Sequence, residues 1–293
     1  MDAWGADNPT VPETTIGGAM SKQAVRMYYE QYDEWARMDS ASGQIEFMRS
    51  MGVLDQWLPE QARVLDIGGG PGRYAVELAR RGHRVSLVDL CSHHIEMARE
   101  QVVDRRLSTR VERMCEGDAC DLSMFGDDSF DAAMAFGPFY HLVDDNERRD
   151  AAAELARVTR PSGIVFVQFI PPLSGVVRLM ERADELPQTV SVDSFQTAHA
   201  EYVYRNPSET GFQEAAYMTP EQAKLLFEEV GFVTEDLLSV LGLAAGREER
   251  LCRLQARDPE LYEAMAAVIE DTAREPAVIE TGELAMWVGR LQG

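Results

Sequence analysis

A short apolar segment that runs directly into a cluster of glycines constrains the fold of this chain more than any other feature. Residues 63–67 (RVLDI) are followed by residues 68–72 (GGGPG), after which apolar residues recur at helical spacing over 75–79. This order predicts a buried strand, a tight turn and a helix. Such a turn brings backbone N–H groups close to a bound ligand, because glycine has no Cβ to keep the ligand away.

The alternation of strand and helix continues along the chain. Helices are predicted from residue 92 to 103, before Pro161, and after the capping box formed by Thr219 and Gln222. Such alternation predicts an α/β fold: a Rossmann-like, doubly wound, seven-stranded and mostly parallel sheet with helices on both faces. The predicted strands after the first cover residues 84–88, 111–115, 130–135, 164–170, 232–240 and 284–288.

The pattern predicts one domain, residues 21–293, in which one addition precedes the core and another follows it. Residues 1–20 are rich in glycine, proline and threonine, which predicts a mobile tail. After residue 170 the alternation stops without a clear period, so we expect an insertion that forms a lid over the carboxyl edge of the sheet. The predicted parts are a helical cap (21–60), a core (61–170), the lid (171–217) and the C-terminal half of the sheet (218–293), with a helical insertion at 247–274.

The chain is strongly acidic. Its 28 Lys and Arg residues stand against 50 Asp and Glu residues, which gives a formal net charge of −22. Such a surface repels phosphate backbones and anionic lipids, which argues against a nucleic acid or a membrane as the partner. The sequence has no run of 18 apolar residues and no signal-peptide pattern at its N-terminus, so we expect a cytoplasmic protein.

The cysteine pattern agrees with that compartment. The four cysteines form no C-x-x-C pair, which is typical of reduced thiols. Cys115 and Cys120 could be combined with His93 and His94 in a metal site, but their spacing matches no zinc pattern, and we expect no metal. Both histidines lie where a helix begins, and we expect them to be solvated.

Two classes of ligand use a glycine-rich turn of this kind. Residues 70–75 match the dinucleotide motif G-x-G-x-x-A, but this frame puts two extra glycines after the strand and Pro71 within the turn. Residues 66–72 give the other frame, acidic-x-Gly-x-Gly-x-Gly. Asp89 ends the second predicted strand, where a carboxylate can accept the ribose hydroxyls of either class. An NAD-dependent oxidoreductase therefore stays open at this point.

The second frame resembles the cofactor motif of class I methyltransferases that depend on S-adenosylmethionine (SAM). Three further segments resemble that family in the same order: residues 116–119 (EGDA) its G-D-A segment, residues 136–142 its catalytic edge, and residues 160–163 (RPSG) the turn before strand five. Ser162 replaces a glycine of the family's turn. The resemblance implies a SAM-binding core at 61–170 and methyl transfer from SAM, which leaves S-adenosylhomocysteine (SAH).

Other segments resemble a subgroup of bacterial small-molecule methyltransferases. They are Tyr28 and Tyr29 with residues 34–37 (EWAR), the unit from 219 to 232, and residues 283–290 (ELAMWVGR). No motif identifies the methyl acceptor, or tells whether O, N or C is methylated. A SAM-binding protein without a methyl acceptor, acting as a regulator or a lyase-like scaffold, is the alternative on the same fold.

The resemblance also implies roles for individual residues. The glycines lie under the amino-acid part of SAM, Asp118 meets the adenine amino group, and at least one of the two N-terminal tyrosines lies near the SAM carboxylate. Arg37 is either the ion partner of that carboxylate or a surface base. The expected cofactor-binding residues are Tyr28, Tyr29, Asp66, Gly68, Gly70, Gly72, Asp89, Leu90, Asp118, Ala119 and Phe136.

Tyr140 and His141 are the expected catalytic residues, because the fourth strand should leave them at the carboxyl edge of the sheet. The ordinary pKa of histidine suits His141 to accept a proton near neutral pH. The alternative role for His141 is a hydrogen bond to the SAM backbone or to a helix cap. Tyr140 is expected to form a wall of the pocket, and His199 in the lid could reach the substrate.

The composition of the predicted lid bears on the acceptor. Three arginines against seven acids give residues 171–217 a formal charge of −4, and the segment has no lysine. A lid that closes on a polyanion would need more cations. Its aromatic side chains suggest the lining of a small-molecule site, with lid packing as the alternative. We therefore expect a small, largely apolar or cationic acceptor; the aromatic residues are Phe195, Tyr202, Tyr204, Phe212 and Tyr217.

Overall fold

A seven-stranded sheet forms the centre of the computed structural model, which describes residues 22–208 and 211–293. The expected mobile tail, residues 1–20, lies outside the described residues. The strands are β1 (Arg63–Ile67), β2 (Arg84–Asp89), β3 (Val111–Glu116), β4 (Phe130–Ala135), β5 (Thr159–Phe169), β6 (Val203–Arg205), β7 (Glu214–Ala216), β8 (Phe232–Ser239) and β9 (Ala285–Leu291).

The sheet has the spatial order β3-β2-β1-β4-β5-β9-β8, and β6 and β7 form a separate hairpin. Strands β1 to β5 pair in parallel, whereas β9 is antiparallel to both β5 and β8. The mostly parallel, seven-stranded sheet expected from the sequence is therefore confirmed. The strand order reverses between β1 and β4, and the crevice beyond the carboxyl ends of such strands is where α/β sheets bind ligands.

Helices cover both faces of the sheet, which explains its long apolar strands. Consecutive residues Val64 and Leu65 are both fully buried, and they belong to two different hydrophobic clusters. The helices are α1 (Lys22–Tyr29), α2 (Glu34–Arg37), α3 (Ala41–Trp57), α4 (Arg73–Arg80), α5 (Ser92–Asp104), α6 (Asp145–Val158), α7 (Pro172–Glu185), α8 (Val192–Glu201), α9 (Pro220–Glu228), α10 (Glu248–Arg257), α11 (Pro259–Asp271) and α12 (Pro276–Thr281).

The N-terminal region is more broken than the sequence suggests. The helical cap expected at residues 21–60 consists of three separate helices, α1 to α3. Asp33 begins α2 by accepting a hydrogen bond from the Ala36 N–H, and Ser40 begins α3 by accepting one from the Gly43 N–H. Asp and Ser side chains favour the first position of a helix, so a new helix begins at each of them. The turns let α1 lie across the carboxyl edge of the sheet.

Residues 171–217 are also more regular than expected. They form α7, α8 and the β6–β7 hairpin, although the sequence shows no clear period there. In α7 the small residues Ser174 and Gly175 are buried, and a Cβ on Gly175 would overlap the ring of Tyr217. A helix that packs through small residues does not display a simple apolar stripe. Within the described ranges, no helix is long and apolar enough to cross a membrane.

Candidate functional site

A cavity opens at the carboxyl ends of β1, β2 and β4, where the strand order reverses. We call it the first cavity, and the glycine turn (residues 68–72) forms its floor. The structure brings most of the expected cofactor-binding and catalytic residues to its wall. Those that line it are Tyr29, Asp66, Gly68, Gly70, Asp89, Leu90, Asp118, Ala119, Phe136, Tyr140 and His141.

The glycine turn needs glycine for different reasons at its different positions. Gly68 and Gly70 have φ angles of 65° and 54°, which disfavour a side chain. A Cβ on Gly68 would lie 2.7 Å from the ring of Pro138, whereas a Cβ on Gly70 would meet nothing closer than 3.6 Å. Gly72 begins α4 and packs on Ala98 without lining the cavity, so its expected cofactor contact is not seen.

Asp66 lies directly beneath this turn and is 1% exposed. Burial, with the charge of Asp89, raises the pKa of Asp66 to about 8. Within the described part of the chain, its Oδ2 has no hydrogen-bond partner. A Cβ on Gly69 would come within 2.6 Å of the carboxyl group. The turn therefore closes over a buried polar group that is largely neutral at pH 7 and has hydrogen-bonding capacity left.

Asp89 joins the glycine turn to the start of α5. One carboxylate oxygen accepts a hydrogen bond from the Gly70 N–H at 2.8 Å, and the other accepts from the Cys91 N–H at 2.8 Å. The second oxygen also lies 3.3 Å from Nδ1 of His94. His94 is 2% exposed, so the expectation that it is solvated was wrong, whereas His93 is exposed as expected. The turn of α5 that carries His94 faces the cavity and not the solvent.

His141 and Tyr29 meet on the opposite wall. Nε2 of His141 shares a hydrogen bond of 2.9 Å with the Tyr29 hydroxyl. Burial lowers the pKa of His141 to about 4, so the ring is neutral at physiological pH. Tyr28 points away from this cavity and packs against Phe212, because neighbouring helical residues diverge by about 100°. The expected cofactor contact of Tyr28 is therefore not seen.

Asp118 lies at the far end of the first cavity, where α1 covers it. Its Oδ2 forms an ion pair with Lys22, which also pairs with Glu147 at 3.2 Å. Its Oδ1 accepts a hydrogen bond from the Cys120 N–H at 2.9 Å. Lys22 could not be predicted as a site residue, because nothing in the sequence near residue 22 indicates that α1 crosses the end of β3.

A second cavity adjoins the first on the side of α7 and the β6–β7 hairpin. We call it the second cavity. Tyr29, Tyr140 and a charged cluster line both cavities and form the junction between them. The rest of the second wall includes five aromatic side chains and two arginines from α7. Its other residues include Tyr28, Tyr32, Arg178, Leu179, Arg182, Tyr204, Phe212, Tyr217 and Glu283.

The charged cluster at the junction consists of Glu34, Arg37 and Glu46. Arg37 donates to Glu34 at 2.6 Å and to Glu46 at 2.8 Å, and its side chain is 16% exposed. The alternative of a surface base for Arg37 was therefore wrong. Burial raises the pKa of Glu34 against the opposing effect of Arg37. The EWAR segment pointed to Glu34 and Arg37, whereas no local signal marks Glu46.

Some of the predicted lid residues do not reach either cavity. Phe195 and Tyr202 pack behind the wall in a cluster with Tyr204 and Tyr217. His199 is exposed on α8 and lines neither cavity, so the expectation that it could reach a substrate was wrong. The aromatic lid residues thus divide into a lining group and a supporting group.

The residues of the first cavity fit a ligand with several polar groups. Each of the strand ends β1, β2 and β3 contributes or is followed by an aspartate, namely Asp66, Asp89 and Asp118. In the described ranges, Nε2 of His94 and Nδ1 of His141 are buried without partners. Gly70 lines the cavity, and its nearest neighbours on that side are the side chains of Glu34 and His94, so a ligand can approach the backbone there. An adenosyl group joined to an amino acid offers polar groups of this number and variety.

Comparison with known proteins identifies this ligand class. A family model described as a methyltransferase domain matches residues 64–163. A demethylmenaquinone methyltransferase from Deinococcus radiodurans is 31% identical over 186 residues, which cover 62% of this chain and 72% of that enzyme. A tRNA 5-carboxymethoxyuridine methyltransferase from Escherichia coli is 30% identical over 118 residues, which cover 40% of this chain and 43% of that enzyme.

Solved structures agree on the fold. A SAM-dependent methyltransferase from Methanosarcina mazei superposes with a TM-score of 0.57 at 19% identity, over 82% of this chain and 97% of that chain. The segment matched by the family model contains the glycine turn, Asp89 and Asp118, which favours the SAM frame of the glycine motif over the dinucleotide frame. The chain belongs to the SAM-dependent methyltransferases, and is thus an enzyme that uses SAM as its cofactor and leaves SAH.

Proposed function

We propose that the chain transfers the methyl group of SAM to a small molecule bound in the second cavity. The observation that carries the proposal is the continuity of the two cavities, which share Tyr29, Glu34, Arg37, Glu46 and Tyr140. Methyl transfer in line needs the acceptor atom beside the reacting carbon and water kept away. A cofactor in the first cavity and an acceptor in the second would meet at this junction.

We propose the following contacts for the cofactor. The backbone of the glycine turn lies against its amino-acid part without a side chain in between, since the N–H groups of Gly68, Gly69 and Gly70 already donate to Val88 and Asp89. Arg37 attracts its carboxylate. Asp89 accepts hydrogen bonds from the ribose hydroxyls. Each of its carboxylate oxygens already accepts one hydrogen bond from a backbone N–H and can accept another. Asp118 accepts a hydrogen bond from the adenine amino group. When bound, SAM supplies a methyl group already activated by a positively charged sulfur, so the protein has mainly to position, exclude water and move a proton.

The proton would leave through Tyr29 and His141. An acceptor O–H or N–H gives its proton to the Tyr29 oxygen while the Tyr29 hydroxyl gives its own to Nε2 of His141, at 2.9 Å. This transfer needs the neutral tautomer with hydrogen on Nδ1. The lowered pKa of His141 keeps the ring neutral but also makes it a weak base. Tyr140, buried at the junction, would form the wall that orients the acceptor.

The character of the second cavity supports a small acceptor. Seven aromatic side chains contribute to its lining. The whole chain carries a formal charge of −22, which disfavours approach of a polyanion. The Deinococcus radiodurans relative is named for demethylmenaquinone, a small molecule, whereas the Escherichia coli relative is named for a tRNA nucleotide. The relative with the small-molecule name is similar over the larger share of this chain.

A methylation assay with labelled SAM against tRNA, DNA and a metabolite extract tests the proposal. We expect label in the small-molecule fraction and none above background in either nucleic acid. The Gly70→Val variant provides the background, because its side chain would fill the first cavity. Robust transfer to tRNA or DNA, with none to small molecules, would contradict the proposal.

A further inference from the structure

Glu283 has an unusual backbone conformation at the wall of the second cavity. Its φ is 70°, and the Leu284 N–H donates to the Gly282 carbonyl at 2.9 Å, so the three residues form a γ-turn with Glu283 at its centre. This turn is strained for a residue that carries a side chain. The Ser239 hydroxyl supports the turn, since it donates to the Gly282 carbonyl at 3.0 Å and accepts from the Gly242 N–H at 2.9 Å.

The topology brings this turn to the active edge of the sheet. Strand β9 is antiparallel to β5, and its first residue, Ala285, pairs with Phe169 at the end of β5. Glu283, two residues earlier, therefore lies beyond the carboxyl end of β5, and its side chain lines the second cavity with Tyr204 and Tyr217. A strained residue held at such a place is a candidate for ligand contact.

The carboxyl group of Glu283 has no hydrogen-bond or ion-pair partner in the described part of the chain, residues 22–208 and 211–293. The other charged side chains of the wall are engaged: Arg178 pairs with Glu181 at 3.3 Å, and Arg182 donates to the Thr189 hydroxyl at 2.9 Å. Arg37 lies within the junction cluster already described. Glu283 is therefore the acidic group of this wall that a ligand can use.

The charges around Glu283 bear on its protonation. Burial raises the pKa of Glu283 to about 7; Arg178 opposes this rise, and Glu248, Glu46 and Glu181 add to it. A hydrogen-bond donor on a ligand, and most of all a positively charged one, would stabilise the ionised carboxylate. The site thus suits a donor group better than a second acceptor.

We propose that Glu283 recognises the methyl acceptor by accepting a hydrogen bond from an N–H or O–H group of that molecule. The inference rests on the proposed function and makes the acceptor class more specific: an aromatic or apolar body that carries an amine or a hydroxyl. An ammonium group is the strongest of these donors, because both partners are then charged.

Ligand-observed NMR on the full chain saturated with SAH tests this inference. The probes are phenethylamine, 2-phenylethanol and ethylbenzene, which differ only in one terminal group: ammonium, hydroxyl or hydrogen. The variants are Glu283→Gln, which removes the charge, and Glu283→Gly, which removes the side chain and relieves the left-handed strain. Glu280→Gln is the matched control, since Glu280 lies three residues earlier in the chain, at the end of α12, and lines neither cavity.

We expect phenethylamine to bind the wild type at least about fivefold more tightly than ethylbenzene, with 2-phenylethanol between them. In both Glu283 variants the affinities for phenethylamine and ethylbenzene should differ by less than about twofold, whereas Glu280→Gln should keep the wild-type difference. Phenethylamine binding to the wild type should also strengthen as pH rises through about 7, and this dependence should vanish in Glu283→Gln. Equal binding of the probes, binding of none, or a preference that survives in Glu283→Gly would overturn the inference. Calorimetric binding of SAH, measured on the same samples, reports separately on the proposed function.

Discussion

At the scale of single residues, Asp66 sits under the glycine turn in a setting that favours its protonated form. The folded protein holds this proton up to about pH 8, whereas the unfolded chain releases it near the ordinary pKa of 3.8. The stability that this group contributes is therefore complete below pH 3.8 and is lost as pH rises towards 8. Asp66→Asn cannot ionise, so its melting temperature relative to the wild type should rise between pH 5 and pH 8. Thermal melts of both proteins without SAM across this pH range measure the difference in melting temperature. If this difference does not change with pH, Asp66 is not buried in its protonated form.

The Tyr29–His141 pair gives a second residue-scale prediction. His141→Gln should lower kcat by about 10², the low end for general base catalysis, because a histidine with a pKa near 4 is a weak base. Tyr29→Phe should lower kcat by a similar factor. The kcat of the double variant should be only slightly lower than that of either single variant, since each substitution breaks the same proton relay. Kinetics on the four proteins measure the coupling. Additive losses would exclude the relay, and full activity of His141→Gln would exclude a role for His141 in proton transfer.

Residues that follow strands could be located from the sequence, because the carboxyl end of a parallel strand has one place in this fold. Asp66, Asp89 and Asp118 all reach the first cavity for that reason. Lys22 and Glu46 could not be located, since they reach the cavity from helices whose packing has no local signal. His94 was misjudged because its helix turns a buried face to the cavity at its first turn.

At the scale of elements, the glycine turn can be tested by filling the cavity above it. In Gly70→Val the new Cβ would meet only Glu34 and His94, at ordinary contact distances of 3.6 and 3.8 Å, so the protein should fold. The added side chain would occupy part of the first cavity, and we therefore expect SAH affinity to fall by more than about 100-fold. The left-handed backbone adds a strain of about 1–2 kcal/mol. Gly82→Val is the control, because Gly82 also has a positive φ, has nothing within 4 Å of a new Cβ, and lines neither cavity. If both variants bind SAH as the wild type does, the turn is not the cofactor site.

The lid makes a different element-scale prediction. A Cβ on Gly175 would overlap the Tyr217 ring, so Gly175→Val should push α7 off the β6–β7 hairpin and deform the second cavity. Overpacking of about 1–3 kcal/mol should reduce methyl transfer to a small-molecule acceptor by about tenfold or more. The affinity for SAH should change less than about twofold. Gly52→Ala in α3, where a Cβ meets no atom within 4 Å, is the control. An equal loss of SAH affinity in Gly175→Val would mean that α7 supports the cofactor cavity instead.

Elements with a strong local period were the predictable ones. The strands of the sheet and the capping-box helix α9 were predicted within a few residues of their observed bounds. The failures came where tertiary contacts override the local period, as in α7 with its buried Gly175, or where short capped helices follow one another, as at Asp33 and Ser40. Packing decides these regions, and a single sequence carries little trace of it.

At the scale of the whole molecule, the two cavities differ in the elements that build them. The first lies at the strand ends of the core and is closed by α1 to α3, whereas α1, α7, the β6–β7 hairpin and the turn before β9 contribute to the second. Under the proposed function, the cofactor site is made mainly of elements that the fold fixes, whereas the acceptor site is made of additions to it. This division explains why the sequence indicated SAM through several motifs but the acceptor only through charge and aromatic content.

Calorimetric titration of the full chain with SAH, SAM and NAD tests the central claim most directly. We expect saturable binding of SAH and SAM at one site per chain, and no heat of binding with NAD. The same titration with Gly70→Val should show no binding of SAH, while Gly82→Val should bind as the wild type does. Binding of NAD with none of SAH would contradict the account, because the first cavity would then hold a different cofactor and no methyl group would reach the second.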